Sequence, residues 1–314
     1  INRISNGTLS YHMEVRTMLR LAVPKGSLEE GTFNLFKQAD LPIQRKGDRD
    51  YNLKIDDPRI SETFMLRPQE VASYVAEGEF DIGITGKDWV IETEAAVKEI
   101  ADLQFSRGGW NKVRMVLATD NENKVNDVSE IKPDAKIVTE YPRITRRYFK
   151  KLNKGKVKIR MSYGATEVKV PRLADYLVDI TETGSTLINN GKKILATIME
   201  STTILIANPE SCKNKNKMQA IIEITELLKG VILARDRVLI KMNVSEDNLK
   251  LLLDYIPSLR KPTITSLFQN GSEKEKWFMI ETVVQKPTLN IILPELMKRG
   301  AREILEINVS KVIL

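Results

Sequence analysis

The densest concentration of chemistry in the chain is the run Asp179-Ile180-Thr181-Glu182-Thr183-Gly184-Ser185-Thr186-Leu187. Hydroxyl side chains and a glycine stand between an apolar strand pattern and a helix start, so backbone N–H groups and hydroxyls converge on the positive end of a helix dipole. Such a nest binds phosphate. Asp179 and Glu182 flank it, and carboxylates beside a phosphate make sense if they bind sugar hydroxyls or help to hold a Mg2+ that bridges them. The same string also reads as a plain helix cap, because Thr or Ser commonly precedes a helix. Neither a Gly-Lys-Ser/Thr phosphate loop nor a G-x-G-x-x-G fingerprint occurs, which argues against a P-loop ATPase and a dinucleotide dehydrogenase.

Isolated residues elsewhere add to this. Lys25, in Pro24-Lys25-Gly26-Ser27, stands at a helix N-terminus, where a cation is unfavourable unless an anion occupies the site; the bland reading is a solvated lysine. Arg67 is held extended by Pro68 and suits a phosphate. Gly83, Thr85 and Gly86 allow a ligand to approach the backbone, and Asp88 either caps the next helix or accepts from a ligand. Tyr141 opens a basic helix, as a core ring or as a surface for stacking a purine. A single Cys (Cys212) and a single His (His12) exclude a disulfide framework, a Cys/His zinc site within one chain and most Ser-His-Asp or Cys-His catalysis.

The elements that must position these residues alternate. Leu19 to Val23 reads as a strand, followed by a helix from Leu28; Phe64 to Leu66 is apolar and leads into a helix from Pro68 to Gly78; Phe80 to Asp88 is a strand running into a turn. Strands follow at Val113 to Ala118, Lys136 to Thr139, Val157 to Tyr163 and Leu177 to Ile180, with a basic helix over Ile144 to Leu152. A helix over about residues 186–199, a strand at Thr203 to Ala207 and a helix at Lys217 to Leu228 come next, and Gly230 reads as a boundary. This alternation predicts α/β layers with largely parallel strands. The last 85 residues are ordered differently, with strand 231–244, helix 246–255, strand 263–268, strand 277–285, helix 289–299 and strand 303–313, a ferredoxin-like βαββαβ order. Residues 1–17 have no clear periodicity and are expected to form an arm or an extra strand.

With 314 residues, 42% of them apolar, the chain can bury more than one core. Its 49 Lys and Arg against 42 Asp and Glu leave +7, a balance that suits anionic ligands but lacks the clustered basic density of a nucleic-acid binder. No run is apolar enough for a membrane span and residues 1–20 lack the apolar stretch of a signal peptide, so a cytoplasmic location is expected.

Taken in order, the segments from Leu21 to Leu28, Asp81 to Asp88, Thr139 to Pro142, Gly164 to Glu167 and Asp179 to Leu187, with Lys241 to Val244, Pro262-Thr263 and Gly300-Ala301 in the tail, resemble the long form of ATP phosphoribosyltransferase, the first enzyme of histidine biosynthesis. The resemblance covers about residues 19–313. It implies a two-domain α/β catalytic core like that of periplasmic binding proteins, made of domain I (18–107 and 200–228) and domain II (108–199), followed by a ferredoxin-like regulatory domain (230–314). It also implies transfer of the phosphoribosyl group of phosphoribosyl pyrophosphate (PRPP) to ATP with Mg2+ bound, feedback inhibition by histidine, and dimers that assemble into hexamers.

Carried over to this chain, the resemblance puts the 5-phosphate of PRPP on Thr183 to Thr186 and the ribose near Asp179 and Glu182, with Thr181, Gly184, Ser185 and Leu187 completing the loop. Asp179 and Glu182 are also the expected metal contacts, mainly through substrate. Lys25, Asp179 and Glu182 are the expected catalytic residues; Lys25 and Arg67 face the pyrophosphate or the ATP phosphates, and Gly86, Asp88 and Tyr141 the adenine. Thr263 is the expected effector contact. Ser27 departs from the arginine frequent at its position, which removes one cationic contact. A small-molecule effector-binding protein without turnover is the alternative.

Overall fold

The computed structural model describes residues 18–47, 50–105, 112–257, 261–268 and 275–314. The arm expected at 1–17, with His12, and the domain boundary expected at 107/108 lie outside the described residues. The chain forms two compact units, 1–225 and 226–314.

Two sheets build the first unit. The chain lays down β1 (Leu19–Pro24), α1 (Glu29–Gln38), β2 (Asn52–Leu53), β3 (Ile60–Leu66), α2 (Pro68–Glu77), β4 (Ile82–Gly86), α3 (Lys87–Thr93) and β5 (Lys98–Asp102). It then forms β6 (Val113–Asp120), β7 (Lys136–Thr139), α4 (Pro142–Lys151), β8 (Lys158–Met161), β9 (Tyr176–Thr181), α5 (Ser185–Asn189) and β10 (Lys192–Ser201). Next, β11 (Thr203–Ala207) returns to the first sheet, and α6 (Pro209–Lys213) and α7 (Lys215–Ala234) follow. The six-stranded sheet has the order β2-β3-β1-β4-β11-β5, the five-stranded sheet β10-β6-β9-β7-β8.

Local chemistry explains the edges of these elements. Pro68 opens α2 in the first turn, where its missing N–H is not needed, and Gly78 closes it in the left-handed region at φ +85°. Every residue of β4 and of β11 is buried, as expected of strands covered on both faces. Gly83 serves this packing: a Cβ there would fall 2.6 Å from Val71 Cγ1 and 2.8 Å from Val75 Cγ2 of α2. Thr85, fully buried, donates its hydroxyl to Pro68 O at 2.6 Å. Both residues hold α2 on the sheet, which accounts for them without a ligand.

Several expectations need correction. The strands are mixed in direction: β1 runs parallel to β3 and β4, and β7 to β8 and β9, whereas β11 is antiparallel to β4 and β5 and β6 is antiparallel to β9 and β10. The helix expected over 186–199 is only the five-residue α5, closed by Gly191 at φ +66°, and β10 takes the rest. β10 carries two register shifts against β6, between Ile194 and Ala196 and between Thr197 and Met199. Each shift breaks the period-two alternation that marks a strand. Gly230 is not a helix end: α7 runs on to Ala234, and a Cβ at Gly230 would fall 2.5 Å from Ile313 Cδ1, so the glycine admits the C-terminal segment.

The second unit contains β12 (Arg237–Ser245), α8 (Glu246–Leu253), β13 (Thr263–Ser266), β14 (Trp277–Gln285), α9 (Lys286–Lys298) and β15 (Arg302–Asn308). The first tail strand therefore starts at Arg237 rather than at 231, and the last ends at Asn308. The sheet order is β13-β14-β12-β15 with every pair antiparallel. Alternation along β12 buries Val238, Ile240, Met242 and Val244 against Leu252 of α8 and Leu289 and Leu296 of α9.

Candidate active site

Strand register brings the expected residues of the first sheet into a row. Pro24 of β1 pairs with Leu66 of the parallel β3, so Lys25 and Arg67 emerge side by side at the carboxyl ends of adjacent strands. Leu21 and Ala22 pair with Ile82 and Gly83 of β4, which ends at Gly86 in the same row. Ligands of open α/β sheets bind outside such ends. In the second sheet, Thr139 of β7 pairs with Met161 of β8 and Val178 of β9, so the residues that follow all three strands also share one edge. Tyr141, the loop from Ser162 to Lys169 and the run from Glu182 to Thr186 come from that edge.

The loop after β9 makes a sharp turn at the glycine of the hydroxyl-rich run. Gly184 sits at φ +88°, a left-handed turn that few residues other than glycine adopt without strain. Its N–H donates to Thr181 Oγ1 at 2.9 Å, and its carbonyl accepts from Ile188 N–H at 3.0 Å. Thr183, Ser185 and Thr186 are exposed, while Leu187 is buried and anchors the turn beside Ile194. Thr183 Oγ1 donates to Ser185 Oγ at 2.9 Å and accepts from Ser185 N–H at 3.2 Å. The Thr183 and Ser185 hydroxyls are therefore held together.

This turn and its flanking carboxylates, Asp179 and Glu182, line a concavity of about 490 Å³ together with Glu140, Gly164, Ala165 and Glu167. The loop that carries the last three is braced. Lys169 Nζ donates to Ser162 Oγ at 2.6 Å and to Gly164 O at 2.8 Å, and the buried Ser162 and Thr166 hydroxyls lie 3.0 Å apart. Four carboxylates and no Lys or Arg side chain line this concavity. Glu140 and Glu167 had no sequence signal of their own beyond sitting in the stretches that carry the resemblance.

Gly86, Asp88 and Tyr141 meet in a second, smaller cleft between the sheets, together with Ser27, Trp89 and Ser201. Asp88 is buried; its N–H donates to Ser201 Oγ at 3.0 Å and its Oδ1 accepts from the Ser201 hydroxyl at 2.5 Å. A Cβ at Gly86 would stand 2.3 Å from that same Oδ1, which explains the glycine. Tyr141 corrects one expectation. Its ring is 1% exposed and lies 4.6 Å from the Trp89 ring, so it walls the cleft as a core residue and offers no free face for stacking.

Glu92, which sequence reasoning missed, places Tyr141. Its buried carboxylate accepts the N–H groups of Arg143 and Ile144, both at 2.9 Å, and so caps α4 from α3. Burial pushes its pKa above the ordinary value despite those two donors. A cap from 51 residues away leaves no local signal.

Lys25 and Arg67 line neither cleft. Lys25 Nζ donates instead to Tyr51 Oη at 2.7 Å, and among the described residues neither cation forms an ion pair. Thr263 lies in the second unit, in a concavity with Lys261, Glu281 and the C-terminal residues Val312 to Leu314. Among the described residues no group of three or more His, Cys, Asp or Glu side chains is placed to hold a metal ion.

Comparison with known proteins bears on the family of the chain. The family model described as ATP phosphoribosyltransferase matches residues 67–230, and the one described as HisG, C-terminal domain, matches residues 234–311. The ATP phosphoribosyltransferase of Pelotomaculum thermopropionicum is 40% identical over 295 residues, covering 94% of this chain and 99% of that protein. Its counterpart from Pelodictyon phaeoclathratiforme is 42% identical over 299 residues, covering 95% and 99%. Among solved structures, a chain of the ATP phosphoribosyl transferase (HisG:HisZ) complex from Thermotoga maritima superposes with a TM-score of 0.57 at 31% identity, over 68% of this chain and 99% of that chain. With both family models in register and relatives of this identity spanning nearly the whole length, the chain belongs to the ATP phosphoribosyltransferase family.

Proposed function

We propose that the chain transfers the phosphoribosyl group of PRPP to N1 of ATP, forming phosphoribosyl-ATP and releasing pyrophosphate, the first step of histidine biosynthesis. The observation that carries this reading is the convergence of Asp179, Glu182 and the Thr183–Thr186 nest on one concavity at the carboxyl ends of the strands. The nest takes the 5-phosphate, and Asp179 and Glu182 hold the ribose hydroxyls. Lys25 and Arg67 meet the leaving pyrophosphate or the ATP phosphates, and the cleft at Gly86, Asp88 and Tyr141 borders the adenine.

In this reaction N1 of adenine forms a bond to C1 of the ribose as the C1–O bond to pyrophosphate breaks, the electron pair leaving with pyrophosphate. The attacking nitrogen has no proton to lose, so no general base is required. What the protein must supply is orientation and stabilisation of charge on the leaving group. That is compatible with a chain holding one Cys and one His.

The residues present suit Mg2+. The polar side chains of the acidic concavity offer oxygen atoms alone, four of them carboxylates, so a cation carried in with a phosphate-bearing ligand would offset their charge, and two carboxylates with substrate oxygens are a usual Mg2+ environment. Asp179 and Glu182 would share the ion with substrate; when bound, it supplies charge neutralisation at the phosphates.

For the organisation of the chain we propose catalytic domain I from 18–107 and 200–228, domain II from 108–199 and a regulatory domain from 230–314, with the catalytic core of the periplasmic-binding-protein type and a cytoplasmic location. The strand order β13-β14-β12-β15 supports a ferredoxin-like regulatory module. Histidine would act there as a feedback inhibitor in a dimer-to-hexamer assembly, with Thr263 among its contacts; Lys261 and Glu281 in the same concavity suit a zwitterion.

The test is turnover: protein, ATP, PRPP and Mg2+ should yield phosphoribosyl-ATP and pyrophosphate in equal amounts by chromatography. Absence of both products, together with tight binding of an amino acid, would favour an effector-binding protein instead.

A further inference from the structure

Lysine is a flexible point charge on a four-carbon stem, and fixing it carries an entropic cost. A carboxylate partner would fix it but cancel the charge that an anionic ligand needs. Lys25 has a different partner. Its Nζ donates to the Tyr51 hydroxyl at 2.7 Å and lies 4.3 Å from the centre of the same ring. A phenol restrains the ammonium through both contacts while leaving its charge intact.

Tyr51 is itself held where this requires. Its carbonyl accepts from Met65 N–H at 2.9 Å, and Lys25 N–H donates to Leu66 O at 2.7 Å, so both residues are pinned to consecutive positions of β3. The Tyr51 ring stacks on Phe64, centroids 6.5 Å apart at 29°. Arg67 follows directly on that strand. Hydrogen bonding and charge from Lys25, then the charges of Arg45 and Arg67, hold the Tyr51 hydroxyl pKa below its ordinary value against the opposing effect of burial, so the three cations act on it as a cluster. Arg45 is engaged with Glu29 at 2.9 Å. Lys25 and Arg67 are the two cations of the cluster that have no carboxylate ion pair among the described residues.

We propose that Tyr51 is a positioning residue: it orients Lys25 beside Arg67 so that both cations act on one polyphosphate group at the carboxyl ends of β1 and β3. This rests on the assignment of Lys25 and Arg67 to substrate phosphates made above. Tyr51 needs no contact with substrate.

A double-mutant cycle tests it, using Tyr51→Phe, which keeps the ring and loses the acceptor, Lys25→Met, and the pair. Tyr51→Phe should lower kcat/KM by roughly two- to tenfold in the native background, the range expected for one net hydrogen bond, and leave it unchanged in the Lys25→Met background. The thermal midpoint of Tyr51→Phe should match that of the native chain. An equal loss from Tyr51→Phe in both backgrounds overturns the proposal while leaving Lys25 in the site. An undiminished kcat/KM in Lys25→Met overturns the proposal through the phosphate assignment. Absence of turnover in the native chain marks failure of the functional reading itself, and the proposal falls with it.

Discussion

Gly184→Ala tests the loop on which the reading depends. Gly184 stands at φ +88°, and a side chain forced into the left-handed region costs about 1–2 kcal/mol. The new Cβ would also come within 3.2 Å of Ile194 Cδ1, so that side chain must yield slightly. The loop is exposed at Thr183, Ser185 and Thr186, so it can relieve the strain by leaving the left-handed turn. Doing so gives up the Gly184 N–H bond to Thr181 and disperses the hydroxyls. The cost then appears in ligand binding rather than in global stability. About 1–2 kcal/mol corresponds to a rise in the KM for PRPP of roughly five- to thirtyfold. The KM for ATP should stay within about a factor of two and the unfolding midpoint should fall by no more than a few degrees. Steady-state kinetics with each substrate varied in turn, alongside thermal unfolding, make the measurement. A PRPP dependence equal to that of the native chain would refute the placement of phosphate on this turn; equal losses for both substrates would point to general misfolding around the five-stranded sheet.

Gly86→Ala should impair ATP use instead. Its Cβ would collide with Asp88 Oδ1, which is already committed to Ser201, so a raised KM for ATP with PRPP little affected is expected, and the reverse pattern would exchange the two clefts. Asp81→Asn should cost about 3 kcal/mol in denaturant unfolding, because the buried Asp81 carboxylate accepts from Arg20 N–H, the Ser211 hydroxyl and the Lys217 ammonium at 2.8, 2.6 and 2.6 Å. Burial raises the Asp81 pKa, but these donors outweigh it and hold it below the ordinary value. Its stabilisation is therefore present above the unfolded carboxylate pKa and lost as pH falls through the folded one, so native stability should drop in acid more steeply than that of Asp81→Asn; parallel pH profiles would contradict this. Excess chelator should abolish turnover and added Mg2+ restore it, with the unfolding midpoint unmoved; full activity under chelator would show that no metal accompanies the substrates.

Segments whose chemistry is local were readable in the sequence. Pro68 and Gly78 bracket α2, and the boundaries of β7 and β14 stand where residue patterns put them. Signals that depend on a distant partner were misread. Gly83 and Gly230 looked like a ligand-facing residue and a helix end, and both are glycines because another part of the chain passes too close for a Cβ. In β10, register shifts opposite β6 interrupt the alternation of a strand, and the segment reads as part of a helix in the sequence. Tyr141 could be read as a stacking face for a purine, although a core or surface ring is commoner at such a position, and packing on Trp89 makes it a core ring.

The parts of the proposed site that one stretch of backbone builds can be named from residue order alone: the Asp179–Leu187 run, the Pro24–Ser27 loop and the Gly86–Asp88 turn. A left-handed glycine, a helix start and a row of hydroxyls are properties of neighbouring residues. Which of these parts meet is an outcome of the folded chain. Parallel register sets Lys25 beside Arg67, Tyr51 restrains Lys25, Glu92 caps a helix from another element, and Gly164 and Glu167 line one concavity with the hydroxyl-rich run. Those juxtapositions follow from strand order and packing, which are set by the burial of whole sheets and leave no trace in the spacing of any single motif.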